Sequence, residues 1–345
     1  MIKYTKDGYL DIPAILDRGY FFNAVVGARG TGKTFGALAH MAQRESNGKF
    51  LLVRRTAKQA AAMGNSKTSP FKAVNGALGT NIECDTLDAR LGISAFKNGD
   101  SGDFIGYGGA LSTFAGFRGI DFSDVDIIIY DEFIKEKHER KIQGEGEAFF
   151  NLIETVNRNR ELQAGKPPVT VLCLANSNDI FNPLFVSLKL VLPAEKLINA
   201  GREELYDKDR GLLLYIVQNS PISEQKSKTA LYKLVGDGEF TNMAIKNSFN
   251  MDESEQIKSL PLKGMKPIAA IGEICVYKRP NGGYYIASKA VGGGYRQYTL
   301  SSADRARFKN DYKMVFWRAF YGREMVFETY YTSKLFEEYF IKLSY

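Results

Sequence analysis

One stretch constrains this chain more than any other. Residues 21–34, FFNAVVGARGTGKT if read from Phe21, begin as an apolar run, break into glycines and close on Gly-Lys-Thr. Gly27, Ala28, Arg29, Gly30, Thr31, Gly32, Lys33 and Thr34 fit the pattern G-x-x-x-x-G-K-[ST] at every fixed position. Glycine at these places lets the backbone curl until successive N–H groups face one anion. A helix opening at about residue 33 adds the positive end of its dipole. The eight residues are therefore read as the cradle of a nucleotide polyphosphate. Lys33 is expected to reach the β- and γ-phosphates, and Thr34 to hold Mg²⁺ through its hydroxyl. A plain glycine-rich turn would not need both a strand before it and a helix after it.

The length, 345 residues, suits one large domain or two of ordinary size. With 44% hydrophobic and 25% charged residues the balance is that of a soluble globular protein. No apolar run approaches the roughly 18 residues of a membrane helix. Nor does the N-terminus show a signal-peptide core, so a cytosolic protein with no membrane partner is expected. Cys84, Cys173 and Cys275 are odd in number, far apart and form no C-x-x-C pair, which argues against a disulfide framework or a zinc site. His40 and His138 are the only histidines, too few for a histidine metal centre. A net charge of +7 and a pI near 9.0 favour a polyanionic partner. Residues 229–345 hold 17 Lys/Arg against 12 Asp/Glu, most of that surplus.

From residue 20 to about 217, short apolar runs alternate with helical patterns, the mark of an α/β domain. Strands are expected at 21–26, 50–53, 126–130, 169–174 and 212–217, with helices at 33–44 and 146–160. Runs as apolar as IIIY and VTVLCL suit central parallel strands covered on both faces. The Gly-, Ser-, Thr- and Asn-rich stretch 56–118, with a hairpin near 102–111, reads as a loop-bearing insertion. The expected boundaries are 1–197 for the first domain, 198–228 for a linker and 229–345 for a small α+β domain. In the latter, 268–291 is a hairpin turning on Pro-Asn-Gly-Gly, and the aromatic last forty residues form amphipathic helices.

The second half of the site is DVDIIIYDEF, 124–133. A buried strand ending in Asp131-Glu132 places a carboxylate at the sheet edge beside the phosphate loop. Asp131 fits the Mg²⁺ role and Glu132 the polarising of a water for attack on the γ-phosphate. A catalytic Glu favours hydrolysis over phosphorylation of a small molecule, for which no acceptor pocket or lid is evident. The strand VTVLCLAN ends in Asn176, at the tip of a central strand between the other two, where it can sense the γ-phosphate. Arg158 and Arg160 end a helix and can act as a finger on a neighbouring subunit's ATP, which requires a ring-closing oligomer. Arg118 is a rival finger, and Arg54 and Arg55 can sense nucleotide or touch DNA.

These residues together resemble a family. GARGTGKT (27–34), VRRTAK (53–58), IIIYDEFIKEK (127–137), NRNRE (157–161) and CLANSNDIFNPLF (173–185) look like the DNA-packaging ATPases of the phi-29-like small podophages. Those are similar to large terminases and to the FtsK/HerA branch of additional-strand P-loop ATPases. The resemblance covers roughly 20–185. It implies a RecA-like α/β ATPase domain with a mostly parallel sheet, followed by a small RNase H-like α+β domain. It further implies a homo-oligomeric ring, five-membered, at the portal of a procapsid in the host cytoplasm, driving double-stranded DNA inward by ATP hydrolysis. Arg158 falls where the family's trans-acting finger sits, ahead of Arg160 and Arg118, and Asn176 matches its polar residue after the fourth strand. Some relatives dock on a packaging RNA, so a structural RNA stands among the possible partners. A terminase nuclease needs several carboxylates for two metal ions. Here strands 272–278 and 284–290 contain one acid, Glu273, so the fold without cleavage is expected. Two other readings compete: another FtsK/HerA-type DNA pump, and a nucleotide-switched assembly protein with little turnover.

A motor that pulls any genome must hold phosphates rather than bases. Lys67, Lys72, Arg90, Lys97, Lys135, Lys137, Arg140 and Lys141 are the candidate contacts. If they grip DNA, affinity for double-stranded DNA falls steeply as salt rises, measured by filter binding across a salt series; a flat response would remove them.

Overall fold

A computed structural model describes residues 3–45, 48–117, 119–136, 138–162, 166–236, 241 and 255–341. Arg118 and Lys137, singled out above, lie outside the described residues. The chain divides into two units, Met1–Asn250 and Met251–Tyr345.

The first unit is built on β1 (Phe22–Gly27), β2 (Lys49–Arg54), β3 (Ile82–Asp88), β4 (Ile93–Asn98), β5 (Phe104–Ala110), β6 (Val125–Asp131), β7 (Thr170–Asn176), β8 (Glu204–Asp207) and β9 (Leu212–Ile216). They form one sheet in the order β3-β4-β5-β2-β6-β7-β1-β9-β8. The six strands from β5 to β9 run parallel, and antiparallel pairs extend the sheet at each edge. Parallel strands covered on both sides read as continuous apolar runs, and β1, β6 and β7 are buried along nearly their whole length. Their side chains alternate between faces. Val25, Ile127, Ile129, Leu172 and Leu174 share one core with Ala37, Leu38 and Met41 of the helix Lys33–Gln43. On the other face the helix Glu145–Asn157 brings Phe149 to Tyr130, ring centroids 4.6 Å apart. Its buried positions, Phe149, Leu152 and Val156, follow the 3–4 spacing of a helix with one core-facing stripe.

Two expectations need correction. The stretch 56–118 is not a loop-bearing insertion: β3, β4 and β5 lie within it and widen the sheet. Its Phe71 and Phe96 are fully buried beside Phe50 of β2, with centroids 5.2 to 5.8 Å apart. The signal was faint because β3, the edge strand, alternates with several exposed polar positions, and β5 carries three glycines. Gly106 is required there, since a Cβ would sit 2.6 Å from the Phe50 ring. Nor is 198–228 a bare connector. It supplies β8 and β9, and β9 pairs with β1 itself, so the large sheet is closed by residues placed in the linker.

The second unit holds β10 (Lys266–Ile271), β11 (Ile274–Lys278), β12 (Tyr284–Ala287), β13 (Arg296–Tyr298) and β14 (Met325–Phe327), in the order β13-β10-β11-β12-β14. The hairpin expected near 268–291 forms a meander, β10-β11-β12. Its β11–β12 turn uses Gly282 and Gly283 at positive φ, where a Cβ on Gly283 would strike the Glu324 carbonyl at 2.3 Å. The helix Ser302–Tyr321 and the segment Tyr330–Ile341 bury a ring cluster in which Phe308, Phe316, Phe336 and Phe340 meet. No helix among the described residues is long and apolar enough to cross a membrane.

Because Phe96 is core rather than loop, Phe96→Ala should cost about 3–5 kcal/mol. Urea denaturation of the full chain followed by circular dichroism measures this, and a loss within about 0.5 kcal/mol would return the stretch to the surface.

Candidate active site

Strand order makes the site. β7 lies between β1 and β6, with Gly27 opposite Asn176 and Leu174 opposite Asp131. All three strands run parallel and so end at one edge, where the phosphate loop begins. Gly30 and Gly32 take positive φ, which the loop's curl demands. Gly32 caps the helix Lys33–Gln43 without a side-chain hydrogen bond, leaving first-turn N–H groups for a ligand. A Cβ on Gly32 would lie 2.9 Å from Tyr9, whose segment is bound to the loop by Leu10 N–H donating to the Thr31 carbonyl (3.0 Å).

The Thr34 hydroxyl donates to Asp131 Oδ1 at 3.0 Å. Asp131 is buried, and its Oδ2 accepts no hydrogen bond although Arg54 Nη2 lies 3.0 Å away as a charge partner. A buried carboxylate oxygen lacking an aligned donor, next to a threonine hydroxyl, fits a hard cation or a water of its shell. The residues present therefore suit Mg²⁺, with Thr34 and Asp131 as its holders. Glu132 follows at φ 59°, a left-handed conformation unusual for Glu. Its half-exposed carboxylate pairs with Arg54 Nη1 at 2.9 Å. Arg54 thus holds both carboxylates from the end of β2.

Lys33 is buried and folded onto the loop, donating to the carbonyls of Gly27 (2.9 Å) and Ala28 (2.7 Å) and to Thr31 Oγ1 (3.2 Å). Burial pushes its ammonium down to about 7; the Asp131 carboxylate opposes that, while Lys226 and Arg29 add to it. Glu132, Asn176, Arg29, Gly30 and Glu136 line one cleft of about 390 Å³. Asn176 thus ends β7, the strand between β1 and β6, and opens onto the cleft. Arg29 pairs across this cleft with Glu136 at 2.5 Å.

The other arginines separate. Arg55 cannot touch DNA or nucleotide: it is fully buried, bound bidentately to Glu145 (2.7 and 2.9 Å) and to Glu139 (2.8 Å). Tyr130 donates to the same Glu145 at 2.8 Å. Arg160 is also buried, donating to the carbonyls of Ser123 (3.0 Å) and Val125, so it ties backbone and is not a finger. Arg158 is half-exposed at positive φ, donating to the Ile120 carbonyl at 3.0 Å, with Asp121 at 3.8 Å. Residues 120–123 precede β6, whereas Asp131 ends it, so Arg158 lies about 20 Å of extended strand from its own chain's site. It is out of reach of its own phosphate loop.

The lysines proposed to grip DNA fall into two groups. Lys67 and Lys72 share a larger cleft, about 760 Å³, beside the edge strand β3 with Glu83 and Asp85. Lys97 pairs with Asp85 at 3.1 Å, and Arg90 is exposed beyond β3. Lys135, Arg140 and Lys141 follow β6, four strands away or on the order of 19 Å across the sheet. The larger cleft, flanked by acids, is remote from the phosphate loop and has no part in its chemistry.

Two features had no sequence signal. Arg54's double pairing depends on β2 lying beside β6, and Lys226 reaches the loop from the helix Pro221–Ser227, donating to the Arg29 carbonyl. Arg54 lies in VRRTAK, but nothing in that stretch announces that it pairs with both Asp131 and Glu132, and Lys226 belongs to no motif.

The Lys33 environment has a pH consequence. Its pKa is lowered in the loop, and a bound polyphosphate favours the charged form, so binding takes up a proton above about pH 7. Nucleotide affinity should then weaken by about tenfold per pH unit between roughly pH 7.5 and 9. Calorimetric titration in buffers of different ionisation enthalpy tests this; pH-independent affinity with no proton uptake would contradict it.

Comparison with known proteins gives the family. The model of the family described as Podovirus DNA encapsidation protein (Gp16) matches residues 5–261. The DNA packaging protein of Bacillus phage phi29 is 27% identical over 230 residues, 66% of this chain and 61% of that protein. The chain thus spans under two thirds of that relative's length. The DNA packaging protein of Bacillus phage B103 is 27% identical over 257 residues, 71% of this chain and 72% of that protein. A chain of the bacteriophage Phi-29 viral genome packaging motor assembly shares the fold, with TM-score 0.64 and 21% identity over 96% of this chain and 98% of that one. With well over half of its 345 residues inside the family match, the chain belongs to the Podovirus DNA encapsidation protein (Gp16) family.

Proposed function

We propose that the chain is the ATPase of a viral genome-packaging motor, working as a homo-oligomeric ring of five at the procapsid portal in the host cytoplasm. The ring couples ATP hydrolysis to movement of double-stranded DNA. The observation that carries this reading is the meeting of Thr34 and Asp131 at 3.0 Å, with Glu132 and Asn176 on the same cleft. Family membership supplies the setting. When bound, Mg²⁺ would neutralise phosphate charge and give the γ-phosphate its electrophilic character. The chain's own residues do the rest. Loop N–H groups and Lys33 hold the polyphosphate, Thr34 and Asp131 hold the cation, Glu132 orients and deprotonates a water, and Asn176 senses the outer phosphate. Arg158, exposed and far from its own site, is offered to the neighbouring subunit.

Glu132 must leave Arg54, or share it, before it can accept a proton, because a carboxylate paired with a guanidinium is a poor base. For the second unit we propose an RNase H-like domain without cleavage that binds DNA, a structural RNA or the portal. Glu273 there accepts from Tyr331, Glu328 from Ser288, and among the described residues no three acidic, histidine or cysteine side chains gather as metal ligands.

The deciding experiment is steady-state ATP hydrolysis with and without long double-stranded DNA. Wild-type turnover should rise with DNA, and Glu132→Gln should lower it by roughly 10²-fold or more with nucleotide binding retained. Turnover indifferent to both DNA and the substitution would favour a nucleotide-switched assembly protein. A chain that hydrolyses with DNA but fails to bind portal would instead be a DNA pump of another kind.

A further inference from the structure

Lys226 reaches the phosphate loop from outside every nucleotide-binding motif. Its ammonium donates to the Arg29 carbonyl and lies 3.3 Å from where a Cβ on Gly30 would be, so the glycine at that position leaves room for it. The same ammonium stands 5.2 Å over the Tyr232 ring. This is not a wandering surface lysine. Its backbone carbonyl is held by Thr229 N–H (3.0 Å) and Thr229 Oγ1 (2.9 Å), which fixes the turn into the helix Ala230–Val235. The start of the segment is tied down too. Tyr4 donates to the Asn219 carbonyl at 2.8 Å, and the N–H groups of Gln218 and Asn219 both donate to Glu203 Oε1 at 3.0 Å. Gly8 packs against Pro221, where a Cβ would approach to 3.0 Å.

Its position selects the phosphate it can meet. Arg29 and Gly30 line the cleft that also contains Glu132 and Asn176, the end of the site where an attacking water must sit. The helix that begins at Lys33 takes the inner phosphates. Of the cations near the loop, Lys33 lies beneath it on the Gly27 and Ala28 carbonyls, Arg29 is paired with Glu136, and Lys226 comes from the other side onto the Arg29 carbonyl. A lysine exchanging a neutral carbonyl for a phosphate oxygen gains a charge-assisted hydrogen bond. No large movement is needed, because the carbonyl it now holds is part of the loop itself.

Resting on the reading that this loop binds ATP, we propose that Lys226 is a γ-phosphate ligand supplied in cis, which leaves the Arg29 carbonyl for the terminal phosphate. The helix pair 221–235 then distinguishes ATP from ADP: with the triphosphate it is pinned to the loop through a charge, and after loss of the γ-phosphate it returns to the carbonyl. Lys226 is a second cation for the outer phosphate, supplied by a different element from Lys33.

The test is equilibrium binding of a non-hydrolysable ATP analogue and of ADP to the full-length chain, wild type beside Lys226→Met, Lys226→Arg and Lys33→Ala. The methionine keeps the stem over Tyr232 and removes the charge. It should weaken the triphosphate analogue by about 10- to 100-fold while ADP changes by less than about threefold. Arginine should recover most of the loss. Limited proteolysis within 221–235 should slow with the triphosphate in wild type and not in Lys226→Met. Equal weakening of both nucleotides would make the lysine a prop for the loop and overturn the inference, as would no weakening of either. A wild-type chain that binds neither nucleotide would sink the ATP reading itself. Binding lost in Lys33→Ala and unchanged in Lys226→Met would leave that reading intact and remove this one alone.

Discussion

The arrangement of this site depends on a parallel register. β6, β7 and β1 run side by side and stop together, so a threonine in the first turn of the helix after β1 meets an aspartate at the end of β6 at 3.0 Å. A buried carboxylate is costly unless charge and hydrogen bonds surround it. Asp131 has Thr34, its own neighbour's N–H from Glu132 (3.1 Å) and the Arg54 guanidinium. One oxygen nevertheless remains without an aligned donor, and that shortfall is the space a cation would complete.

Behind the site is a second buried charge cluster with a different purpose. Arg55, one residue after the Arg54 that pairs with Asp131 and Glu132, joins Glu139, Glu145 and Tyr130 instead. Glu145 opens the helix Glu145–Asn157, so this ion pair fixes the helix start against β2 and β6. Burial, followed by the Glu145 carboxylate, holds the Tyr130 hydroxyl well above its ordinary range, consistent with a permanent donor. Removing one member of such a pair leaves an uncompensated buried charge, typically at a cost of about 3–5 kcal/mol. Neighbouring arginines on one strand end thus divide the labour: one serves the site and the other the scaffold.

The two ends of that helix face different problems. Its first turn carries Glu145 and Glu147, which suit the positive end of the dipole. Its last residue, Asn157, leads into Arg158 and Asn159, both at positive φ, with Arg160 anchoring the turn to the carbonyls of 123 and 125. The strained turn leaves Arg158 projecting at the edge where strands begin. The buried Arg160 anchor with the half-exposed Arg158 beside it fits the intersubunit role proposed for Arg158.

The phosphate loop, the strand that ends in Asp131-Glu132, Asn176 on the strand between them and the alternation that makes an α/β sheet were all legible in the amino-acid order. Each rests on local chemistry: glycine conformations, apolar runs and a charged residue at the end of a strand are visible within ten residues. The second unit's hairpin was legible for the same reason, since Pro-Asn-Gly-Gly supplies the required φ angles in place. Tertiary structure alone decided that 56–118 builds sheet, that β9 pairs with β1, that Arg54 and Arg55 part company, and that Lys226 crosses to the loop. These depend on strand order and on partners as many as 197 residues apart, as for Lys226 and Arg29. A side chain's neighbours across a sheet are fixed by the register of the whole fold, which no short stretch of sequence contains.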